Sequence, residues 1–441
     1  MVSASSGGHH ADQAIARGVS SRLPVVLLVA ATLFHALALL SPAWWQTASV
    51  RNGRDFASYY YAVQVAADGG DPYDTKALSA RARQDGTRKG VHPFLYAPPF
   101  VTMMAWAIPL DLPTAYHLWF WLHELCLLGA MLVLWGWWRD LHPSVPWALA
   151  VLVALMTSVP NNHAMGQANF PGLALAMGGL WATQRGRPGL GGVLLGTACM
   201  LKMSPALLVA WWLLRREWVA VASSVATAVA LSVLSLPLVG IGYQIGFFTE
   251  VLPGFGSGDY NGLAVPIGIF GNHSVPNLWH QALPSGGGLL SMPARTASSL
   301  TNVGLLVGLG WWFRRAPADG LAVAAQVGAV GIVMLLFPVY TYEHHLVWAL
   351  PAMLVVVIGA AQGRITPAVA VVGGLGLTAL LFDLQDLKRT AEAMGPVGHG
   401  IWREAKSLGL FAVLGACTLL GASSPAGEAP SHPATPEPAH V

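Results

Sequence analysis

Charge is what this sequence lacks most. Asp, Glu, Lys and Arg make up 10% of its 441 residues, against about 25% in a soluble domain. The deficit runs along most of the chain, which excludes a soluble globular protein carrying one anchor. The net charge of +3 is small and dispersed, so no nucleic-acid surface is indicated. Cysteine is scarce as well. Cys126, Cys199 and Cys417 each lie inside an apolar run, with no CxxC or Cys/His spacing. A disulfide framework and a structural zinc site are both excluded. A phosphate-binding P-loop, a dinucleotide fingerprint, an HExxH helix and a nucleophile elbow are all missing, which argues against soluble nucleotide donors.

What the sequence has is apolar length. Hydrophobic residues are 54% of the chain. Runs at 23–45, 113–137, 145–160, 169–184, 189–201, 204–214, 218–239, 298–313, 320–337, 345–362, 366–382 and 407–422 predict an all-α polytopic membrane protein with about twelve transmembrane helices. The first run is too long for a signal-peptide core and is followed by no small-residue cleavage site, so it is expected to stay as a helix. Residues 1–22 form a polar, cytoplasmic tail in this scheme. The Pro/Ala-rich segment 423–441 forms a second, disordered one. The membrane domain between them, 23–422, shows no repeat of fixed period.

Basic residues orient the scheme. With Arg17 and Arg22 inside, Arg139, Arg185, Arg187, Arg215, Arg216, Arg314, Arg315 and Arg364 all fall on the cytoplasmic side. The breaks at 46–112, 161–168, 202–203, 240–297, 338–344 and 383–406 then face outward. This agreement requires that the Pro-bounded stretch 96–110 does not cross the membrane.

The largest of these breaks, 46–112, is expected to be an extracytoplasmic loop containing juxtamembrane helices. It carries Asp55 ahead of a Tyr-rich amphipathic stretch. A solvated loop acid is the plainer reading of Asp55, and a general base toward an acceptor hydroxyl is the functional one. Tyr59 and Tyr60 are aromatics either of the membrane interface or of a sugar-stacking platform. Asp68, Asp71 and Asp74 have turn and cap spacing.

Other polar groups sit where a membrane makes them costly. Lys202, between two short apolar helices, must snorkel to the surface or meet an anion in a cavity. Pro205 marks a broken helix there. Glu343, His344 and His345 stand at the outer edge of a late span. They form either an ordinary polar helix start or a phosphate- or hydroxyl-binding group, since adjacent histidines on a helix diverge too far to share a metal. Gln167, Asn169 and Asn272 lie in outer breaks, where amides orient sugar hydroxyls or cap helices. Asn272, His273 and Ser274 also match a glycosylation sequon.

The ordered succession DFASYYYAVQVAADGGDPYD, FLYAPPF, MGQANFPGLALA, LKMSPALLVAWWLLRREW and YEHHLVWALPAM resembles glycosyltransferase family 87, which contains polyprenyl-phosphate-mannose-dependent mannosyltransferases, over residues 23–382. The resemblance implies a GT-C fold and transfer of a hexose such as mannose from a polyprenyl-phosphate sugar to a lipid or glycan acceptor. It implies inversion at the anomeric carbon, with no cofactor and no required metal. It places the enzyme in a bacterial inner (plasma) membrane, surrounded by membrane lipids, with its active site facing the periplasm or cell exterior. On this resemblance Asp55 is the base, at least one of His344 and His345 contacts the donor phosphate, and Lys202 neutralises the same phosphate. Glu343, Gln167, Asn169, Asn272, Tyr59 and Tyr60 remain substrate-binding candidates. The rival expectations are a secondary transporter or flippase with Lys202 and the His pair as substrate ligands, and a non-catalytic scaffold.

Overall fold

The computed structural model of the protein describes residues 54–422 other than 88, 89, 264, 285, 287, 385 and 386. The expected first span at 23–45 and the two tails lie outside the described residues. Among the described residues all regular structure is helical and no strand occurs.

The first loop folds on itself. Helix α1 (Arg54–Ala67) and helix α2 (Thr75–Gln84) are joined by a turn in which Asp71 accepts from the Tyr73 N–H and Asp74 caps α2 by accepting from the Lys76 N–H. Helix α3 (Pro98–Met103) follows, with one 3-10 turn at 105–107. Six residues of helix span about 9 Å, far short of a hydrocarbon core of about 30 Å. Neither piece of 96–110 is long enough to cross. Phe56, Tyr59, Tyr61, Phe94 and Phe100 are fully buried together and give the loop its own core.

Asp111 then accepts from the Thr114 N–H and starts α4 (Leu112–Trp138). Helices α5 (Val145–Leu155) and α6 (Ser158–Met165) meet at a 57° bend. Next come α7 (Asn169–Gln184), α8 (Pro188–Leu201), α9 (Ala206–Leu214) and α10 (Trp218–Val239). Short helical turns, the first of them α11 (Ile241–Gly246), lead through a loop to α12 (Val275–Ala282), α13 (Met292–Phe313) and α14 (Gly320–Leu336). A seven-residue 3-10 helix (Glu343–Ala349) runs directly into α15 (Leu350–Ala361). The chain ends in α16 (Pro367–Leu381), α17 (Lys388–Ala393) and α18 (Gly395–Ala422).

Four of these helices are long and apolar enough to cross a membrane: α4, α10, the continuous 343–361 helix and α18. The bent α5–α6 pair makes a fifth if it is one span, and α8, α14 and α16 are shorter apolar helices. Most described helices lie on the predicted apolar runs, but the run 145–160 breaks into α5 and α6 and α13 begins at Met292 rather than at 298. Helix α18 starts at Gly395 rather than at 407, because its polar N-terminal half finds protein partners instead of ending the helix.

Helix α14 is the centre of the bundle, buried almost throughout. At Gly328 an added Cβ would stand 2.8 Å from the Ala352 Cα, so a glycine is needed for α14 and α15 to pack this closely. Such small-residue contacts hold helices together where lipid removes the hydrophobic drive between them. On α10, Val225, Val229 and Val233 are each more than half exposed at helical spacing. This is the pattern of a face whose solvent is lipid.

Candidate active site

Asp55 lies in the first turn of α1, where the helix dipole favours a negative charge. Its side chain is 14% exposed. One oxygen, Oδ1, is 3.2 Å from His92 Nδ1, and the other accepts from Gln167 Nε2 at 2.7 Å. A carboxylate can only accept, so Nδ1–H of His92 is the donor. Burial works against the Asp55 charge. The His92 hydrogen bond, the nearby His344 and His92 rings and the Gln167 amide outweigh it and hold the carboxyl below its ordinary value. Asp55 therefore stands ionised at neutral pH, with lone pairs left over for another donor.

Each partner of Asp55 is itself fixed. Ser58, on α1, donates to the Pro93 carbonyl at 3.0 Å and so holds the segment that carries His92. Gln167 is oriented by a relay in which the Tyr59 hydroxyl donates to the Tyr96 hydroxyl at 2.6 Å and Tyr96 donates to Gln167 Oε1 at 2.7 Å. The Tyr96 donation fixes which end of the amide faces Asp55. Gly166 ends α6 with φ of +69°, and a Cβ there would sit 2.7 Å from the Phe56 Cβ. Only glycine lets this turn lie against α1 and deliver Gln167 to Asp55.

Asn169 links this carboxylate wall to Lys202 and the His344 turn. Its Oδ1 accepts from Lys202 Nζ at 2.6 Å and from Trp348 Nε1 at 3.2 Å. Its Nδ2 donates to Asn162 Oδ1 at 2.8 Å and to the His344 carbonyl at 2.9 Å. Lys202 sits in the break between α8 and α9, in an extended conformation that ends α8. Burial pulls the Lys202 ammonium down to about 7, and the Asp55 carboxylate works against that pull. His344 is 6% exposed, and its Nε2 has no hydrogen-bond partner among the described residues. The fold thus gathers Asp55, Gln167, Asn169, Lys202 and His344 from four distant parts of the chain.

Other expected residues are occupied elsewhere. His345 is beside His344, with ring centroids 4.3 Å apart, and its Nδ1 accepts from the Tyr342 N–H at 3.1 Å. The Glu343 carboxylate accepts from Lys406 Nζ at 2.6 and 2.7 Å and from the Thr157 hydroxyl at 2.7 Å. It serves as an anchor rather than as an open ligand. Asn272 is 2% exposed; its amide donates to the Ile267 and Val339 carbonyls and its oxygen accepts from the Thr341 N–H. Such a side chain is spent on backbone and is closed to glycosylation in the folded chain. Tyr59 and Tyr60 are buried rather than presented as ring faces, and the Tyr60 hydroxyl donates to the Leu110 carbonyl at 2.7 Å.

Sequence reasoning missed His92, Tyr96, Trp348 and Lys406. His92 stands just before FLYAPPF and Tyr96 lies within it, so a polar residue in a proline-bounded loop near the base was the available signal. Lys406 carried none, standing in a stretch that reads as a loop.

No curated protein matches the chain. A family model does match it, over a region that takes in Tyr96, Gln167, Asn169 and Lys202 and leaves Asp55 and the 343–345 turn outside. That model describes glycosyltransferase family 87 and covers residues 94–338, 245 of the 441, and the chain belongs to this family of membrane glycosyltransferases.

Proposed function

We propose that the protein transfers a hexose, such as mannose, from a polyprenyl-phosphate sugar to a lipid or glycan acceptor on the outer face of a bacterial inner membrane, with inversion, on a GT-C fold of about twelve spans. The observation that carries this reading is the hydrogen-bonded line from Asp55 to Gln167, through the Asn169 N–H on the Gln167 carbonyl, to Lys202 and the His344 turn. It sets one carboxylate opposite a lysine and a histidine.

The chemistry follows from that opposition. Asp55 takes the proton of the acceptor hydroxyl. The freed oxygen attacks the anomeric carbon from the face opposite the phosphate, and the bond from that carbon to the phosphate oxygen breaks. Polyprenyl phosphate leaves with the electron pair. Lys202 and His344 offset the charge that collects on the departing phosphate, a task suited to charge-assisted hydrogen bonds. A phosphate leaves without being protonated first, so a single carboxylate suffices where a glycoside hydrolase needs two. His92 and Gln167 keep that carboxylate ionised and aimed.

A direct test is mass spectrometry of envelope lipids and glycans from cells with and without the gene. The reading expects one hexosylated species to vanish and its unglycosylated precursor to accumulate. An unchanged glycan and lipid profile contradicts it.

A further inference from the structure

Glu343 immediately precedes His344, yet all of its side-chain contacts run to parts of the chain remote from the Asp55 wall. Lys406, from α18, is 4% exposed and donates two hydrogen bonds to the Glu343 carboxylate. Thr157, at the bend between α5 and α6, adds a third, and its own N–H donates to the Leu381 carbonyl at 2.9 Å. His273 Nε2 approaches the other carboxylate oxygen at 3.7 Å. The clamp therefore ties together α18, the α5–α6 bend, the end of α16 and the loop before α12.

What it holds is an unusual element. Residues 343–349 form seven residues of 3-10 helix, where runs beyond three or four residues are uncommon because the hydrogen-bond geometry is poor. Such a turn depends on contacts from outside. On its inner side Asn169 holds the His344 carbonyl; on its outer side Lys406 holds Glu343. Between these two fixings stands the His344 imidazole, with Nε2 unspent. A buried ion pair is weak evidence for stability, since a well-packed apolar pair does as well or better. Its value here lies in where it fixes the chain.

We infer that Lys406 is a positioning residue: through its ion pair with Glu343 it fixes the 3-10 turn that presents His344 to the donor's phosphate. The inference rests on the proposed donor chemistry and adds to it a residue that lies far beyond the family match.

Binding of undecaprenyl phosphate to the full-length protein in nanodiscs tests it, alongside transfer kinetics. Lys406→Met weakens this binding about tenfold, the scale of one charge-assisted contact, and leaves the acceptor KM unchanged. His344→Ala weakens it similarly, and Lys406→Met adds nothing further in that background. Two losses that multiply would mean that Lys406 acts independently of His344, and the positioning role falls. If Lys406→Met does not fold because it strands a buried carboxylate, Glu343→Gln with Lys406→Met removes both charges. That double variant folds and still binds undecaprenyl phosphate several-fold more weakly; wild-type binding by it overturns the inference. Failure of the wild-type protein to bind undecaprenyl phosphate overturns the donor assignment itself, whereas wild-type binding unaltered by either variant overturns only the role of Lys406.

Discussion

Gln167 donates to Asp55 across 112 residues of chain, at 2.7 Å, and its orientation is set from behind by Tyr96. This bond and the one from His92 favour the ionised carboxylate. A carboxyl held below its ordinary value is charged above that value and loses its charge only as pH falls through the lowered one. Loss of transfer through Asp55 is accordingly expected only on the acid side, below the ordinary carboxylate range. In Gln167→Leu and in His92→Ala the acid limb moves to higher pH, more so in His92→Ala, whose bond is the larger stabilising cause. A pH–rate profile of each variant checks this; limbs that coincide with wild type count against Asp55 as the titrating base.

Asn169 satisfies Lys202, Trp348, Asn162 and the His344 carbonyl at once. Asn169→Ala strands several buried groups, with a stability loss of roughly 1–3 kcal/mol. It also releases Lys202 and the His344 turn, so donor KM rises. Thermal unfolding in detergent and steady-state kinetics measure the two effects separately. An Asn169→Ala protein with wild-type stability contradicts the bonding described here.

The positive φ of Gly166 and its contact with Phe56 give a different kind of prediction. Gly166→Ala costs about 1–2 kcal/mol from the backbone alone, and the 2.7 Å approach adds to it. The turn must shift, moving Gln167 from Asp55, so kcat falls along with the melting temperature. A fully active Gly166→Ala enzyme places the turn elsewhere.

Two tyrosines separate structural from functional hydroxyls. Tyr60→Phe removes a bond to the Leu110 carbonyl and is expected to cost about 1 kcal/mol of stability with kcat unchanged. Tyr96→Phe removes the bond that orients Gln167, and lowers kcat as well. Kinetics and melting curves of the pair decide; equal kinetic losses contradict the relay.

Much of this was legible in the sequence, and the exceptions have physical causes. Apolar length marks helices well, because burial or lipid contact demands it, so α4, α10 and α14 lie where expected. Asp55 and Lys202 stood out because an ionisable group near lipid needs a partner. The Tyr59–Tyr61 run misled because aromatics at an interface and aromatics in a loop core look alike until Phe94 and Phe100 are seen packed on them. Glu343 misled for a similar reason. Its partner Lys406 sits in a helical extension too polar to be read as part of a span, and only the fold brings the two charges together.

The family assignment removes the scaffold reading and makes transport the less economical one. The account still turns on what Asp55 does. Its most direct test is transfer of labelled hexose from a polyprenyl-phosphate hexose by wild type and Asp55→Asn in proteoliposomes. The account predicts a covalent product from wild type, and in Asp55→Asn a kcat lower by about 10²–10⁴ with donor binding retained. An Asp55→Asn enzyme that transfers at the wild-type rate, or a wild type that moves the lipid across the bilayer and forms no glycoside, would contradict it.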